Sequence, residues 1–385
     1  MIEPPSEPGE PTPGEPTPSA EPVQPAEPVQ PAEPATRAYD LPTARRVVGA
    51  GLQLALASTA DLRRASIYIG LLALGAFGPA LVFLILTVDH FDLDLAVVLE
   101  DLASGEGLYF YENPELVGPL LFFEALAGVG VLLLFAISID AQAIGIAVLA
   151  GHAATRPIRL PEAVSRARQV FWRLLGASLV VGLYSSVIQG VIRVVMALLL
   201  GPPGLINPAL DFVAATLATL ATVPFAYLAT GIVLGDVAPI EALRRSTRLF
   251  RARPTIALVV VLFTLVTSAI QVFALGAGLD LVAFVGAALG LDVTAGGAGV
   301  VLAMVFSLAA VTAFGSLLFT IAALVSAPQV AAFLGLTFYA GGLERARAEG
   351  PRPAGFRWVT RPMEVSLLAM AGVTLLGVLT LPPVG

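Results

Sequence analysis

The sequence predicts an all-α polytopic membrane protein: a bundle of transmembrane helices with short interfacial amphipathic helices and a disordered N-terminal tail. Of the 385 residues, 57% are hydrophobic and 13% are charged, and the mean hydropathy is +0.87. A soluble globular chain carries about 25% charged residues, so that class is excluded. Apolar runs long enough to cross a hydrocarbon core, roughly 20 residues each, recur from residue 65 onward.

Residues 1–38 form a tail rich in proline and glutamate. They hold 12 of the 30 prolines, in short repeats such as Gly9 to Pro13 and Ala20 to Pro25. Proline lacks the amide hydrogen that helices and sheets need, and the segment has little apolar mass to bury. We therefore expect an extended, acidic tail in the cytoplasm that is available to a cytosolic protein partner.

The apolar runs predict a six-helix transmembrane domain over residues 39–350, followed by a linker and a seventh span within 351–385. The seven spans are expected at 66–88, 118–139, 174–200, 209–234, 255–277, 299–326 and 364–381. For the last run, the alternative is an interfacial or re-entrant segment. Pro79 and Pro224 fall in mid-span and predict kinks, because each removes a backbone hydrogen bond. We expect the stretch 278–291 to form an outer interfacial or re-entrant helix.

Arginine placement predicts the orientation of these spans. All basic residues are arginine, and all but one of the 21 lie before span one or between spans two and three, four and five, and six and seven. The exception is Arg193. Because arginine marks cytoplasmic loops, we expect a multi-pass cell-membrane protein with its N-terminus in the cytoplasm and its C-terminus outside.

Two cytoplasmic segments repeat each other and predict interfacial helices. Pro161 to Phe171 aligns with Ile240 to Phe250, and a proline opens each segment. Apolar residues recur at helical spacing on one face, with arginines on the other. Such helices lie in the headgroup plane with arginine near lipid phosphate. The expected phosphate contacts are Arg166, Arg168, Arg244, Arg245 and Arg248. With a weaker copy over Val47 to Arg64, the architecture becomes three units of interfacial helix plus hairpin.

These segments also carry a family resemblance. The two Glu-Ala segments, and Thr337-Phe338-Tyr339 followed by Arg345-Ala346-Arg347, resemble the membrane domain that accompanies some glycerophosphodiester phosphodiesterases and occurs in many uncharacterised prokaryotic membrane proteins. Where family members often read Tyr-Tyr-Asp-Leu-Arg-x-Arg, this chain has two glycines and no aspartate. The resemblance implies a six-helix fold and no hydrolase activity, because nothing in this chain corresponds to the soluble phosphodiesterase domain.

Few ionisable residues fall inside the predicted spans. Glu124, Arg193 and Asp211 lie at similar depth toward the outer side of three successive spans. Intramembrane charges are costly and mark candidate functional sites. Two interpretations stay open: an outward-facing polar cavity in which Arg193 binds an anion, or a pair of Arg193 with Asp211 or Glu124 that fixes helix packing. Asp140 and Asp236, near inner span ends, favour helix capping or pairing with arginine over proton coupling.

The residue types also limit the functions to consider. The chain has no cysteine and two histidines, and none of the familiar hydrolase, phosphate-loop or metalloprotease motifs occurs. No basic stripe suggests nucleic-acid binding. We expect no catalytic residues, cofactor or metal, and a protein of uncharacterised role that acts through contacts with membrane lipids or proteins. The alternative is a transporter or lipid- or anion-handling protein that uses Glu124, Arg193 and Asp211.

Overall fold

The computed structural model describes residues 43–93, 114–200, 208–288, 298–337, 341–349 and 357–380. These residues belong to one compact unit, Leu41–Gly385. Over the described ranges the secondary structure consists of helices joined by short turns, which confirms the predicted all-α class. The proline-rich tail over 1–38 lies outside the described residues.

Eleven α-helices and two 3-10 turns make up the described part of the chain. The α-helices are α1 (Ala44–Ala57), α2 (Thr59–His90), α3 (Val117–Ala153), α4 (Leu160–Leu200), α5 (Pro208–Ala221), α6 (Leu228–Gly235), α7 (Pro239–Ala252), α8 (Pro254–Ala288), α9 (Ala298–Thr337), α10 (Gly341–Glu349) and α11 (Arg357–Leu379). The 3-10 turns are Pro114–Leu116 and Val223–Phe225.

Membrane-spanning character is clear for the long helices. Four described helices, α2, α3, α4 and α9, are long and apolar enough to cross a bilayer, and there are up to six candidates if each of two bent pairs counts as one span. The bent pairs are α5 with α6 and α7 with the first part of α8. In α11 the described apolar stretch is the shorter segment Leu367–Leu379, so the seventh span stays a prediction.

Close packing of α2 on α9 forms the centre of the bundle, and α3 packs against both. Glycines let the two backbones approach: a Cβ atom at Gly70 would lie 2.5 Å from the Thr312 carbonyl oxygen, and one at Gly315 would lie 2.6 Å from the Ala73 Cβ. Ser316 Oγ also donates a hydrogen bond of 3.0 Å to the Ser66 carbonyl. Small residues with interhelical hydrogen bonds are the usual means of helix association in lipid.

Burial is concentrated toward one end of the molecule. The second half of α3, the beginning of α4 and nearly all of α6 are buried, whereas the most apolar window of α4 has no buried residue. Large apolar side chains such as Leu183, Leu198 and Phe273 are 68–80% exposed. Extended exposed apolar surface of this kind suits contact with lipid rather than water.

Two expectations about the helices are wrong. The segment Pro161 to Phe171 is the first part of the continuous helix α4 and not a separate interfacial helix. The stretch from 278 is not a separate outer helix, because α8 continues to Ala288. Helix α2 continues through Pro79, and the kink expected there stays a prediction.

The break at Pro224 is confirmed. Helix α5 ends at Ala221, a 3-10 turn contains Pro224, and the two sides of the break differ in direction by 47°. The second repeat unit also has the expected separate helix, since α7 meets the first part of α8 at 111°. Arg253, the residue before Pro254, has φ −144° and ψ 68°. This conformation is non-helical, and proline disfavours the helical region for the residue that precedes it.

Candidate functional site

The arginine-rich end comprises α7, α10 and the beginning of α4. Helices α7 and α10 each contact α4, and all three contact α6. This end is organised around the broken span. Pro224 has no amide hydrogen, and the turn leaves backbone groups without helical partners. Ser246 of α7 supplies one hydrogen-bond donor and one acceptor to this turn. Its hydroxyl donates to the Pro224 carbonyl at 2.8 Å and accepts from the Tyr227 amide at 3.2 Å. The broken span is therefore joined to α7 by a buried side chain.

Arg166 of α4 caps the C-terminus of α6. Its Nε donates to the Val233 carbonyl at 2.8 Å and its Nη2 to the Ile232 carbonyl at 3.3 Å, while Nη1 donates to Gln169 Oε1 at 3.0 Å. The last carbonyls of a helix have no partner within the helix and carry its negative dipole end. A fully buried guanidinium here satisfies those carbonyls and is itself hydrogen-bonded on every nitrogen.

Asp236 directly follows the last residue of α6 and accepts hydrogen bonds from three arginines. It adopts the left-handed conformation, with φ 50° and ψ 37°. Its Oδ1 accepts from Arg166 Nη2 at 3.0 Å and from Arg173 Nη1 at 3.1 Å, and its Oδ2 accepts from Arg345 of α10. One carboxylate thus holds together α4, α6 and α10 and leaves an excess of positive charge.

A second, separate ion pair joins α3 to α4. Arg168 Nη2 lies 3.0 Å from Asp140 Oδ2, and the side chains are 3% and 1% exposed. Both members of a buried pair lose hydration, so their mutual attraction must offset a large desolvation cost. The expectation that Asp140 and Asp236 pair with neighbouring arginines agrees with these contacts.

Helix α7 presents the other arginines to the outside. Ala242 and Ser246 face the core, whereas Arg244, Arg245 and Arg248 are exposed. Arg245 Nε donates to Glu241 Oε1 at 2.8 Å, and this hydrogen bond lowers the pKa of the Glu241 carboxyl. The helix is therefore amphipathic in the structure as well as in the sequence.

The predicted outer cluster is brought together only in part. Arg193 Nε lies 2.8 Å from Asp211 Oδ1, so α4 and α5 are joined there, and the two side chains are 46% and 41% exposed. Glu124 is exposed on α3 and makes no ion pair with either residue in the described structure. The pair agrees with the packing interpretation of Arg193.

Two of the five expected phosphate contacts are corrected. Arg166 and Arg168 are buried and ion-paired within the protein, so they do not reach lipid headgroups. The reason is that this part of α4 packs against α3, α6 and α10, and residues 165–168 are all buried. For Arg244, Arg245 and Arg248 the expectation stays a prediction.

Sequence reasoning missed Arg173 and Arg345 as partners of one carboxylate. A signal was present: Asp236 directly follows an apolar run, and these arginines lie in segments assigned to the same side of the membrane. No group of three or more histidine, cysteine, aspartate or glutamate side chains suited to a metal ion occurs among the described residues.

Comparison with protein-family models, curated proteins and solved structures finds no match to the chain.

Proposed function

We propose that the protein is a non-catalytic integral membrane protein that binds anionic lipid headgroups through α7. The observation that carries the proposal is the 111° angle between α7 and the first part of α8, together with the exposed arginines of α7. If α8 crosses the bilayer, α7 lies close to the membrane plane. An amphipathic helix in that position places arginines at the level of the lipid phosphates.

The amount of charge supports this proposal. Arg244, Arg245, Arg248 and Arg251 are all exposed on α7, and Arg253 follows directly. A basic side chain near an anionic surface contributes about 1 kcal/mol to membrane attraction. One of these arginines is partly neutralised by Glu241, and α7 still carries a net positive charge.

The test uses purified full-length protein in a neutral detergent with added short-chain phosphatidylglycerol or phosphatidylcholine. We expect phosphatidylglycerol to raise the midpoint of thermal denaturation more than phosphatidylcholine, and salt to reduce the difference. Arg248→Gln should weaken the apparent affinity for phosphatidylglycerol about fivefold, as expected for roughly 1 kcal/mol. Combining it with Arg244→Gln and Arg251→Gln should weaken that affinity further.

Arg193→Gln is the matched control, because Arg193 is also a half-exposed arginine but lies on α4 away from α7. It should leave the response to phosphatidylglycerol unchanged. Equal effects of the two lipids on the wild-type protein would contradict the proposal. So would a triple α7 variant that responds like the wild type.

The proposal includes the orientation, with the arginine-rich segments and the N-terminal tail in the cytoplasm of a cell membrane and the C-terminus outside. The chain has no cysteine, so single introduced cysteines report cleanly. Arg248→Cys should resist a membrane-impermeant maleimide in intact cells and react after permeabilisation. Labelling in intact cells would contradict the proposed orientation. It would also contradict the proposal that residues 1–38 bind a cytosolic partner. Deleting that tail should abolish co-purification of the partner.

Transport is the second candidate and has less support. It would require Glu124, Arg193 and Asp211 to form one substrate site, whereas Arg193 is already paired with Asp211 at 2.8 Å and Glu124 is outside this pair. Transport would gain support if Arg193→Ala abolished uptake or efflux at unchanged expression.

A further inference from the structure

The cluster around Asp236 contains more positive than negative charges. Three guanidinium groups, those of Arg166, Arg173 and Arg345, face one carboxylate. Arg166 is fully buried and uses its donors on Ile232, Val233, Gln169 and Asp236, so it belongs to the core. The other two arginines differ from it in exposure and in the number of bonds they make.

Arg173 and Arg345 each have donors to spare. Their side chains are 43% and 56% exposed, and each bonds Asp236 through Nη1. Within the described structure their remaining nitrogens have no hydrogen-bond or ion-pair partner. A guanidinium has five N–H donors in a planar fork that matches the oxygens of a phosphate group. Both forks contact the same carboxylate, Arg173 at Oδ1 and Arg345 at Oδ2 of Asp236.

The two guanidinium groups are also held in position. Arg173 projects from α4 and Arg345 from α10, and α10 sits tightly against the core: a Cβ atom at Gly342 would lie 2.4 Å from both Arg166 Nη2 and the Val233 carbonyl oxygen. The nearby carboxylate of Glu344 is engaged by Arg347 and therefore does not neutralise Arg345. Pre-positioned donors bind an anion with a smaller entropic cost than mobile ones.

We propose that Arg173 and Arg345 form a binding site for a phosphate group at the rim of the Asp236 cluster. Asp236 acts as the internal anion that holds both side chains and competes with the ligand for them. The ligand is a soluble phosphate or the phosphate of a lipid headgroup, which share the same oxygen chemistry. This site is separate from the exposed arginines of α7 and does not depend on them.

The test uses the full-length protein in phosphatidylcholine nanodiscs, with inorganic phosphate as one probe and short-chain phosphatidic acid as the other. Chloride at matched ionic strength is the reference for general salt effects. Each probe is titrated while the thermal midpoint is recorded. Arg173→Gln and Arg345→Gln should each weaken binding about tenfold, the loss of one charge-assisted contact. The double variant should lose the response.

Arg64→Gln is the control, because Arg64 is an exposed arginine that pairs with one carboxylate, Asp61, at 3.3 Å, and no second arginine pairs with Asp61 among the described residues. It should bind both probes as the wild type does. Asp236→Asn should strengthen binding, since it removes the competing charge and asparagine tolerates the left-handed conformation. If Asp236→Asn does not fold, Arg173→Gln and Arg345→Gln still test whether the site binds phosphate.

An unchanged response in the double arginine variant would overturn the proposal, and so would the absence of any response to either probe at millimolar concentration. Loss of binding in that variant supports it, and the probe with the larger arginine-dependent shift identifies the source of the phosphate. The triple α7 variant should keep this response. A failure of the lipid proposal for α7 is thereby distinguished from a failure here.

Discussion

Arg168 Nη2 lies 3.0 Å from Asp140 Oδ2 in a part of the bundle where both side chains are almost completely buried. The pair fixes α4 against α3 at the level where α3 is surrounded by other helices. Its environment contrasts with that of the pair Arg193 and Asp211. Their nitrogen–oxygen distance is similar, at 2.8 Å, but both side chains are nearly half exposed. The two pairs allow the effect of burial to be measured within one protein.

Arg168→Met should destabilise the protein strongly, because it leaves the Asp140 carboxylate buried without its cation. Removing one member of a buried pair costs roughly 3–5 kcal/mol. The double variant Asp140→Leu with Arg168→Met should recover much of this loss, since apolar replacement of a whole buried pair is often neutral. Thermal denaturation in mild detergent measures both effects.

Arg193→Met is the control for that series and should change stability by about 0–1 kcal/mol, as exposed pairs do. Equal losses for Arg168→Met and Arg193→Met would show that burial of the first pair does not matter for stability.

Ser246→Ala should destabilise the broken span by roughly 1–3 kcal/mol. The substitution leaves the Tyr227 amide and the Pro224 carbonyl without the hydroxyl that bonds both. Ser326→Ala is the matched control: Ser326 is equally buried, but its hydroxyl bonds only the Ala322 carbonyl one turn earlier in the same helix, a contact that stabilises helices little. A loss of stability of the same size in both variants would contradict the bridging role of Ser246.

The membrane-spanning character of the long helices was predictable because apolar length is a property of the sequence alone. The number of spans was not, since four described helices qualify, or up to six with the bent pairs, where seven were expected. The break at Pro224 was also predictable, since proline removes a backbone donor wherever it stands in a helix. The two arginine-rich segments could not be separated by periodicity, which is the same in both. What separates them is Pro254, which ends α7 at 111° to the next helix, while no proline interrupts α4 between Phe171 and Leu200.

The partners of individual arginines could not be predicted from the sequence. Helical spacing places Arg166 on the polar face of its segment and therefore favours an exposed side chain. In the structure its guanidinium is buried because the broken span ends beside it and offers the carbonyls of Ile232 and Val233. That contact depends on the arrangement of α4 against α6, which no local pattern encodes.

Arg166→Met should therefore destabilise the protein far more than Arg173→Met, although both arginines bond the same oxygen of Asp236. The first substitution leaves two buried helix-end carbonyls without donors, and each such group costs about 1–3 kcal/mol. The second removes one half-exposed ion pair, with a cost of about 0–1 kcal/mol. Thermal midpoints of the two variants test this, and a larger loss for Arg173→Met would refute the capping role.

The docking of α1 on α9 gives a prediction with a control two residues away. Gly51 lies against Pro328 of α9: a Cβ atom there would come within 2.7 Å of the Pro328 nitrogen, whereas one at Gly49 would meet nothing within 4 Å. Gly51→Ala should force α1 away from a backbone that cannot move aside, at a cost of about 1–3 kcal/mol. Gly49→Ala should stabilise α1 by up to about 1 kcal/mol, because alanine is the better helix former. Thermal denaturation of the two variants in the same detergent compares them directly, and a stabilising Gly51→Ala would mean that α1 does not rest on α9 as described.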